Sequence, residues 1–456
     1  MFAKEIEETP WLVCSTFENP DDHYQAWLTL FNDICDKHAP YREIKIRMQS
    51  LPWITPQIRH LMNDRYKTLL KAKRTNNHEL WLKYRKLRNT VTQEVRSAKC
   101  KYYAELFDEV KDCKSYWKLV KNAASTQLKP PIIGIRNIED KIETSDQGKA
   151  ELLNKHFSTV GEKLANEIPA FISVEPSSYI SRITPTVMVT AMSNEIIAQG
   201  LKNLKVDKAC GPDKVSPKLL KYAGEGLIPS LMSLYTSSTT SNLVPSTWKT
   251  ANVTPIFKKE DETDRHNYRP ISLLCVPGKI MESAVGSTMV SHITEHGLSS
   301  NRQWAYKKQH STELLLVKMT EDWRRALDNH QVVGVVFVDF RKAFDSISHE
   351  VLLHKLQGLG ISGDLWLWIK DYLSDRLQIT TVNGQKSRPM SVKYGVPQGL
   401  VLGPILFSIY CNDLPDICNE EGENEEIDMY ADDTTVYVTA SDPDLVVTAL
   451  NKVLNK

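Results

Sequence analysis

Bulky apolar residues recur at three- and four-residue spacing in the first part of the chain, at Tyr66 and Leu69 and again at Leu80, Tyr84, Leu87 and Val91. That spacing predicts helices with one apolar face over residues 56–107. The same periodicity predicts a helix over YQAWLTLFNDICDKHA, halted by Pro40, and further helices over 148–168, 194–204, 312–327, 349–359 and 362–375. Residues 129–142 read as a short β excursion or linker, and 173–186, rich in Ser and Pro, as a loop. The longer strand signals lie later. VTPIFKK and YRPISLL flank the polar stretch EDETDRHN and read as a hairpin, and QITTV is followed by Asn383-Gly384, a strong two-residue turn signal.

Two further β patterns carry charge. Residues 332–339, VVGVVFVD, form an apolar run that ends on Asp339 and reads as a fully buried strand. In DMYADDTTVYVTA, two β-favouring stretches flank Ala431, Asp432 and Asp433, predicting a hairpin with adjacent carboxylates at its tip. A buried Asp339 would cost several kcal/mol unless a cation met it. Convergence of Asp339, Asp432 and Asp433 would create a cluster tolerated chiefly where divalent cations neutralise it. Hard oxygen ligands suit magnesium. Two such ions, about 3.5 to 4 Å apart, form a clamp for in-line phosphoryl transfer.

Composition adds little until it is mapped along the chain. With 456 residues, 41% hydrophobic and 25% charged, the chain is ordinary for a globular protein of two to four domains. The net charge of +1 conceals segregation: residues 41–101 hold 16 Lys plus Arg against 4 Asp plus Glu, whereas residues 394–451 hold no Lys or Arg. A basic arm and an acidic centre fit a chain that grips a phosphate backbone in one place and binds metal in another. In the arm, Lys83, Arg85, Lys86 and Arg88 are interleaved with Trp81 and Tyr84, a pattern suited to nucleic acid, with a solvated basic face as the plainer alternative. The eight cysteines form no CxxC pair, which points to a reducing compartment. The first residues lack the apolar core of a secretion signal, and no apolar run is long enough to span a bilayer. The expectation is an intracellular protein, nuclear or cytoplasmic, without a membrane partner.

The segments FVDFRKAFD, GVPQG (395–399) and YADD (430–433), in that order, resemble a reverse transcriptase. NYRPISLL, VLGPILF and NDLP are similar to the non-LTR, LINE-type, jockey-like retrotransposon branch. The resemblance implies an α+β right-hand polymerase, with fingers and palm built from an antiparallel sheet and helices and preceded by a basic helical arm. The expected division is a helical connector over 1–125, a linker with helices over 126–200, fingers over 201–330 and an incomplete palm over 331–456. It also implies an RNA template, a DNA primer, deoxynucleoside triphosphates and two Mg2+ ions as partners.

Residue by residue, Asp339 and Asp432 match the metal-bridging carboxylates, with Asp433 in support. Pairing of the two hairpin strands would bring Lys258 or Lys259 near Arg269, and by the resemblance Lys258 and Arg269 match the triphosphate-gripping pair. Phe344 matches the aromatic that excludes a ribose 2′-hydroxyl, with a core Phe as the alternative. Gln398 can hydrogen-bond sugar or base, and Gly399 permits close backbone approach. Lys208, beside the turn Gly211-Pro212-Asp213, is a candidate nucleic-acid contact. Asp345 reads as a helix cap or structural acceptor. Four departures stand out: Ala305, Tyr306 and Lys307, where the family has Gly, Phe and Arg, and Leu400 in place of a Ser that would cap the next helix. The family's arm joins an endonuclease to the polymerase, and its palm continues into a thumb. Neither is found in this sequence, so the expectation is a chain truncated at both ends. The alternatives are an inactive remnant that binds RNA through its arm, and an RNA-templated RNA polymerase, which Phe344 and YADD disfavour.

Overall fold

The computed structural model describes residues 1–40, 51–124, 132–167, 192–415 and 425–455, and it divides into two compact units, Tyr41–Pro131 and Met1–Pro40 with Ile132–Lys456. The expected loop over 173–186 lies outside the described residues. Residues 1–40, expected to open the helical connector, instead belong to the larger unit. The cause is apolar: Tyr24, Trp27 and Phe31 of the Pro20–His38 helix are buried in its core, stacked on one another, and the Tyr24 hydroxyl donates to buried Asp213 at 2.6 Å.

The smaller unit contains the Pro56–Thr75, His78–Glu109 and Cys113–Ala124 helices. Two adjacent asparagines break the basic run: Asn76 closes the first helix in a left-handed conformation (φ 48°), and the Asn77 side chain accepts the Glu79 N–H to start the next. Lys83, Arg85, Lys86 and Arg88 are all exposed on the second helix.

The larger unit is α+β, as expected. Its strands among the described residues are β1 (Ile135–Arg136), β2 (Ile142–Glu143), β3 (Thr250–Phe257), β4 (Tyr268–Leu273), β5 (Val332–Asp339), β6 (Arg376–Val382), β7 (Gln385–Lys386), β8 (Met390–Val392), β9 (Glu425–Tyr430) and β10 (Asp433–Ala440). One sheet runs β4-β3-β6-β7, with β8 also on β6, and its β3–β6 pairing is parallel. That sheet draws strands from both sides of position 330, where fingers and palm were expected to divide. The second sheet is antiparallel, in the order β5-β10-β9. The turns are those the pattern predicts, with Asn383 and Gly384 (φ 49° and 90°) between β6 and β7 and Ala431-Asp432 between β9 and β10. No helix among the described residues is long and apolar enough to cross a membrane.

β5 is not the fully buried strand that its apolar run predicts. It lies at the edge of its sheet, Phe337 is 73% exposed, and Asp339 faces solvent. The run is explained by helices on the two faces of the sheet. On one face the Pro443–Leu454 helix seats Val446 and Leu450 against Gly334, where a Cβ would come within 2.2 Å of Val446 Cγ1. On the other, Leu315 and Met319 of the Thr312–Asp328 helix pack on Tyr437 and Val335. Beneath that helix the Asp428 side chain is fully buried and bonded to Lys318 Nζ at 2.5 Å, to Trp304 Nε1 at 3.3 Å and to the Tyr437 hydroxyl at 3.3 Å. Lys318→Met should lower the unfolding free energy by about 3 kcal/mol, since Asp428 is left buried without its cation. Adding Asp428→Asn should restore most of that loss, and urea denaturation followed by tryptophan fluorescence measures both steps.

Candidate active site

A cleft of about 770 Å³ opens in the larger unit between the ends of β5 and β10, the β3–β4 hairpin and the Asp146–Glu167 helix. Asp339, Asp432, Lys258, Arg269, Phe344, Gln398 and Gly399 all line it. Asp433 does not. It sits opposite Asp339 in the β5–β10 ladder, exposed, while Asp432 is the turn residue that reaches the cleft. Among the described residues no three His, Cys, Asp or Glu side chains gather as a metal-holding group, so the expected triad is two carboxylates in the cleft with a third beside them on the strand. Neither the Asp339 nor the Asp432 carboxylate takes a hydrogen bond or an ion pair among the described residues. Unpartnered carboxylate oxygens are the donor chemistry that a hard divalent cation requires, and the pair fits such an ion.

The same cleft is also lined by cations. Ladder pairing places Ile256 across from Arg269, and the Lys258 N–H donates to the Asn267 carbonyl at 2.8 Å, so Lys258 and Arg269 share the loop end of one hairpin. Lys342, from the turn after β5, joins them. Burial lowers its pKa, and the charges of Lys258 and Arg269 lower it further against the pull of Asp345. Burial pushes Asp345 up to about 6, with Lys342 opposing. Asp345 is no helix cap, because the next helix, His349–Gly358, is capped by the Ser348 side chain on the Val351 N–H.

The remaining wall comes from the Asp146–Glu167 helix, to which the sequence assigned no chemistry. Its Asn154 is completely buried, donating to the Arg388 and Gln378 carbonyls and accepting from the Thr380 hydroxyl and Gln378 Nε2. That clasp fixes the helix on β6 and brings His156 and Lys163 to the cleft. Burial holds the His156 imidazole down at about 3, helped by His266, Lys342, Arg265 and Lys163, so it is neutral at pH 7. An isolated buried Asn gives no sequence signal that could have found this wall.

Residues 395–399 tie these parts together. The Val396 N–H donates to the Phe344 carbonyl at 2.9 Å, the Gly395 N–H to Ile347 at 2.8 Å, and the Gln398 carbonyl accepts from Ser272 at 2.9 Å. Gly399 (φ 115°) allows a close approach, but to β4: a Cβ there would lie 2.6 Å from the Ser272 oxygen. Phe344 is stacked on buried Phe407 with ring centroids 4.4 Å apart. Leu400 is buried, and the helix start after it is served from elsewhere, the Val401 N–H donating to Glu282 Oε2 at 2.8 Å. Burial raises the Glu282 pKa, with that N–H and Arg376 pulling it back. The departures near position 305 are also accommodated: Ala305 is buried, and Lys307 Nζ bonds the Ser300 carbonyl at 2.5 Å. Lys208 is exposed and does not line the cleft.

Residues 256–456 match the family described as reverse transcriptase (RNA-dependent DNA polymerase), and residues 54–114 match the female sterile protein K10 C-terminal domain. The chain is 26% identical, over 79% of its own length and 40% of the relative's, to a probable RNA-directed DNA polymerase from transposon BS of Drosophila melanogaster. It is 29% identical, over 59% of its length and 30% of the relative's, to the RNA-directed DNA polymerase from mobile element jockey of the same organism. With the probable RNA-directed DNA polymerase from transposon X-element the identity is 28% over 48% of the chain and 24% of the relative. The chain thus spans less than half the length of each of these relatives. The matched region holds both cleft carboxylates and the cationic hairpin pair, so the site lies in the part of the chain, residues 256–456, that is similar to reverse transcriptases.

Proposed function

We propose that the cleft adds deoxynucleotides to a DNA primer paired with an RNA template, with residues 201–330 acting as fingers and 331–456 as palm. The observation that carries this reading is the division of one cleft into an acidic end, Asp339 and Asp432, and a cationic end, Lys258, Arg269 and Lys342. A polyanion whose reacting phosphorus must sit beside a divalent ion needs both ends together. Asp339 and Asp432, with Asp433 adjacent on the ladder, would hold magnesium as two ions, which when bound supply the positive charge that favours attack by a 3′-hydroxyl and departure of pyrophosphate.

The chain's own residues do the positioning. Lys258 and Arg269 grip the triphosphate, and the incoming phosphates favour the charged form of Lys342, which burial disfavours in the free protein. The Phe344 ring, backed by Phe407, cannot retreat, so it excludes the volume of a 2′-hydroxyl. The Gln398 side chain, at the mouth of the same wall, meets sugar or base. On the smaller unit, the exposed Lys83, Arg85, Lys86 and Arg88 neutralise nucleic-acid phosphates, and Lys208 does the same on the larger.

Primer extension on an RNA template tests the reading. Asp432→Ala should cut the rate by about 10³-fold or more, several kcal/mol of charge stabilisation being lost, while RNA affinity stays unchanged. Undiminished extension by that variant would refute the assignment. Phe344→Ala should raise the use of ribonucleotides relative to deoxynucleotides by on the order of 100-fold, measured as the ratio of kcat/KM values. A ratio equal to that of the unmutated chain would make Phe344 a core residue.

A further inference from the structure

Gln303 opens the segment QWAYKKQHST and is 3% exposed. Its Oε1 accepts the N–H of Ala305 at 3.0 Å and the N–H of Ala431 at 3.0 Å, and its Nε2 donates to the Ala431 carbonyl at 3.3 Å. A single side-chain amide therefore holds both main-chain groups of Ala431. The backbone on either side reinforces the contact, because the Trp304 N–H donates to Met429 at 2.8 Å and the Met429 N–H to Arg302 at 2.9 Å. Residues 302–304 thus lie along the outer edge of β9.

Ala431 needs holding. Its φ of 58° places it in the left-handed region, where a Cβ is strained and glycine is favoured. Ala431 and Asp432 are the two residues that join β9 to β10, and of the two only Ala431 has a positive φ. Its conformation therefore sets the direction in which Asp432 leaves the turn. We infer that Gln303 is a positioning residue: its amide keeps Ala431 left-handed and so aims the Asp432 carboxylate into the cleft. The inference rests on the reading of Asp432 as a cation-holding carboxylate. A glutamine serving core packing alone would have no reason to place both its donor and its acceptor on the one strained residue beside that acid.

The test compares the full chain with Gln303→Met, Ala431→Gly and the double variant, using Mn2+ binding by electron paramagnetic resonance alongside primer extension. Methionine keeps length and volume without the hydrogen bonds, and glycine adopts the turn without the clamp. Gln303→Met should weaken Mn2+ binding and lower kcat by about 10- to 100-fold, as losses of residues that orient metal ligands do, with the deoxynucleotide KM within about twofold. The double variant should return to within about threefold of Ala431→Gly alone in both readouts. Mn2+ affinity and kcat within about twofold of the unmutated chain, or a double variant no better than Gln303→Met, would assign Gln303 to the core only. If Gln303→Met does not fold, Gln303→Asn, polar but one methylene too short to reach Ala431, takes its place with the same expected losses and the same overturning result. The functional reading fails separately. A chain that extends nothing but loses Mn2+ in Asp432→Ala leaves the Mn2+ comparison to decide the role of Gln303, whereas Mn2+ binding indifferent to Asp432→Ala overturns both.

Discussion

Three main-chain hydrogen bonds, from residues 395, 396 and 398, hold the cleft in one piece. The turn that carries Phe344 follows β5, in one sheet, while Lys258 and Arg269 belong to a hairpin of the other. The loop bonds to Phe344 and Ile347 on one side and to Ser272 of β4 on the other, so it fixes the acidic strand end relative to the cationic hairpin. Because the bonds run through backbone groups, the geometry is set by chain path and not by the particular side chains of the loop. The exceptions are two glycines: a Cβ on Gly395 (φ 81°) would lie 2.7 Å from the Asp345 main chain, and the missing Cβ of Gly399 lets the loop lie against Ser272. A glycine that reads in sequence as room for a ligand thus makes room for a strand.

What was legible in the sequence follows from short-range rules. The β3–β4 and β9–β10 hairpins, and with them the shared hairpin of Lys258 and Arg269 and the placement of Asp432 at a tip, came from β-favouring runs flanking short polar stretches. The Asn383-Gly384 turn is the same logic in its purest form. Periodicity also located the Asp146–Glu167 helix to within two residues at its start. It could not say that this helix closes a wall of the cleft, because that depends on Asn154 meeting carbonyls and side chains more than two hundred positions away.

The residues missed share this character. Asn154, Gln303 and Glu282 are buried polar side chains, and each has among its partners main-chain groups more than a hundred positions away in sequence. Glu282 reaches the same helix start from another helix, accepting the Val401 N–H, while Leu400 is buried beside it. The error over β5 has a different source. An apolar run looks the same whether a strand is central or has helices on its faces and one open edge, and only the sheet order tells these apart.

That error changes the energetics of the site. A buried Asp339 would have made the fold depend on a cation to offset its desolvation. Exposed, Asp339 and Asp433 cost the folded chain little, so the protein need not bind an ion in order to fold. The buried acid nearby, Asp428, has Lys318 instead. Charge in this domain is therefore handled in two ways, with an internal ion pair at Asp428 and Lys318 and open carboxylates at Asp339 and Asp433. The cationic wall repeats the division: Lys342 is half-buried among like charges, an arrangement the fold tolerates at the cost of a lowered pKa and that a bound polyanion would relieve. Under the proposed function both ends of the cleft reach electrostatic balance only when substrate and ion arrive together, which favours the assembled complex over either partner alone.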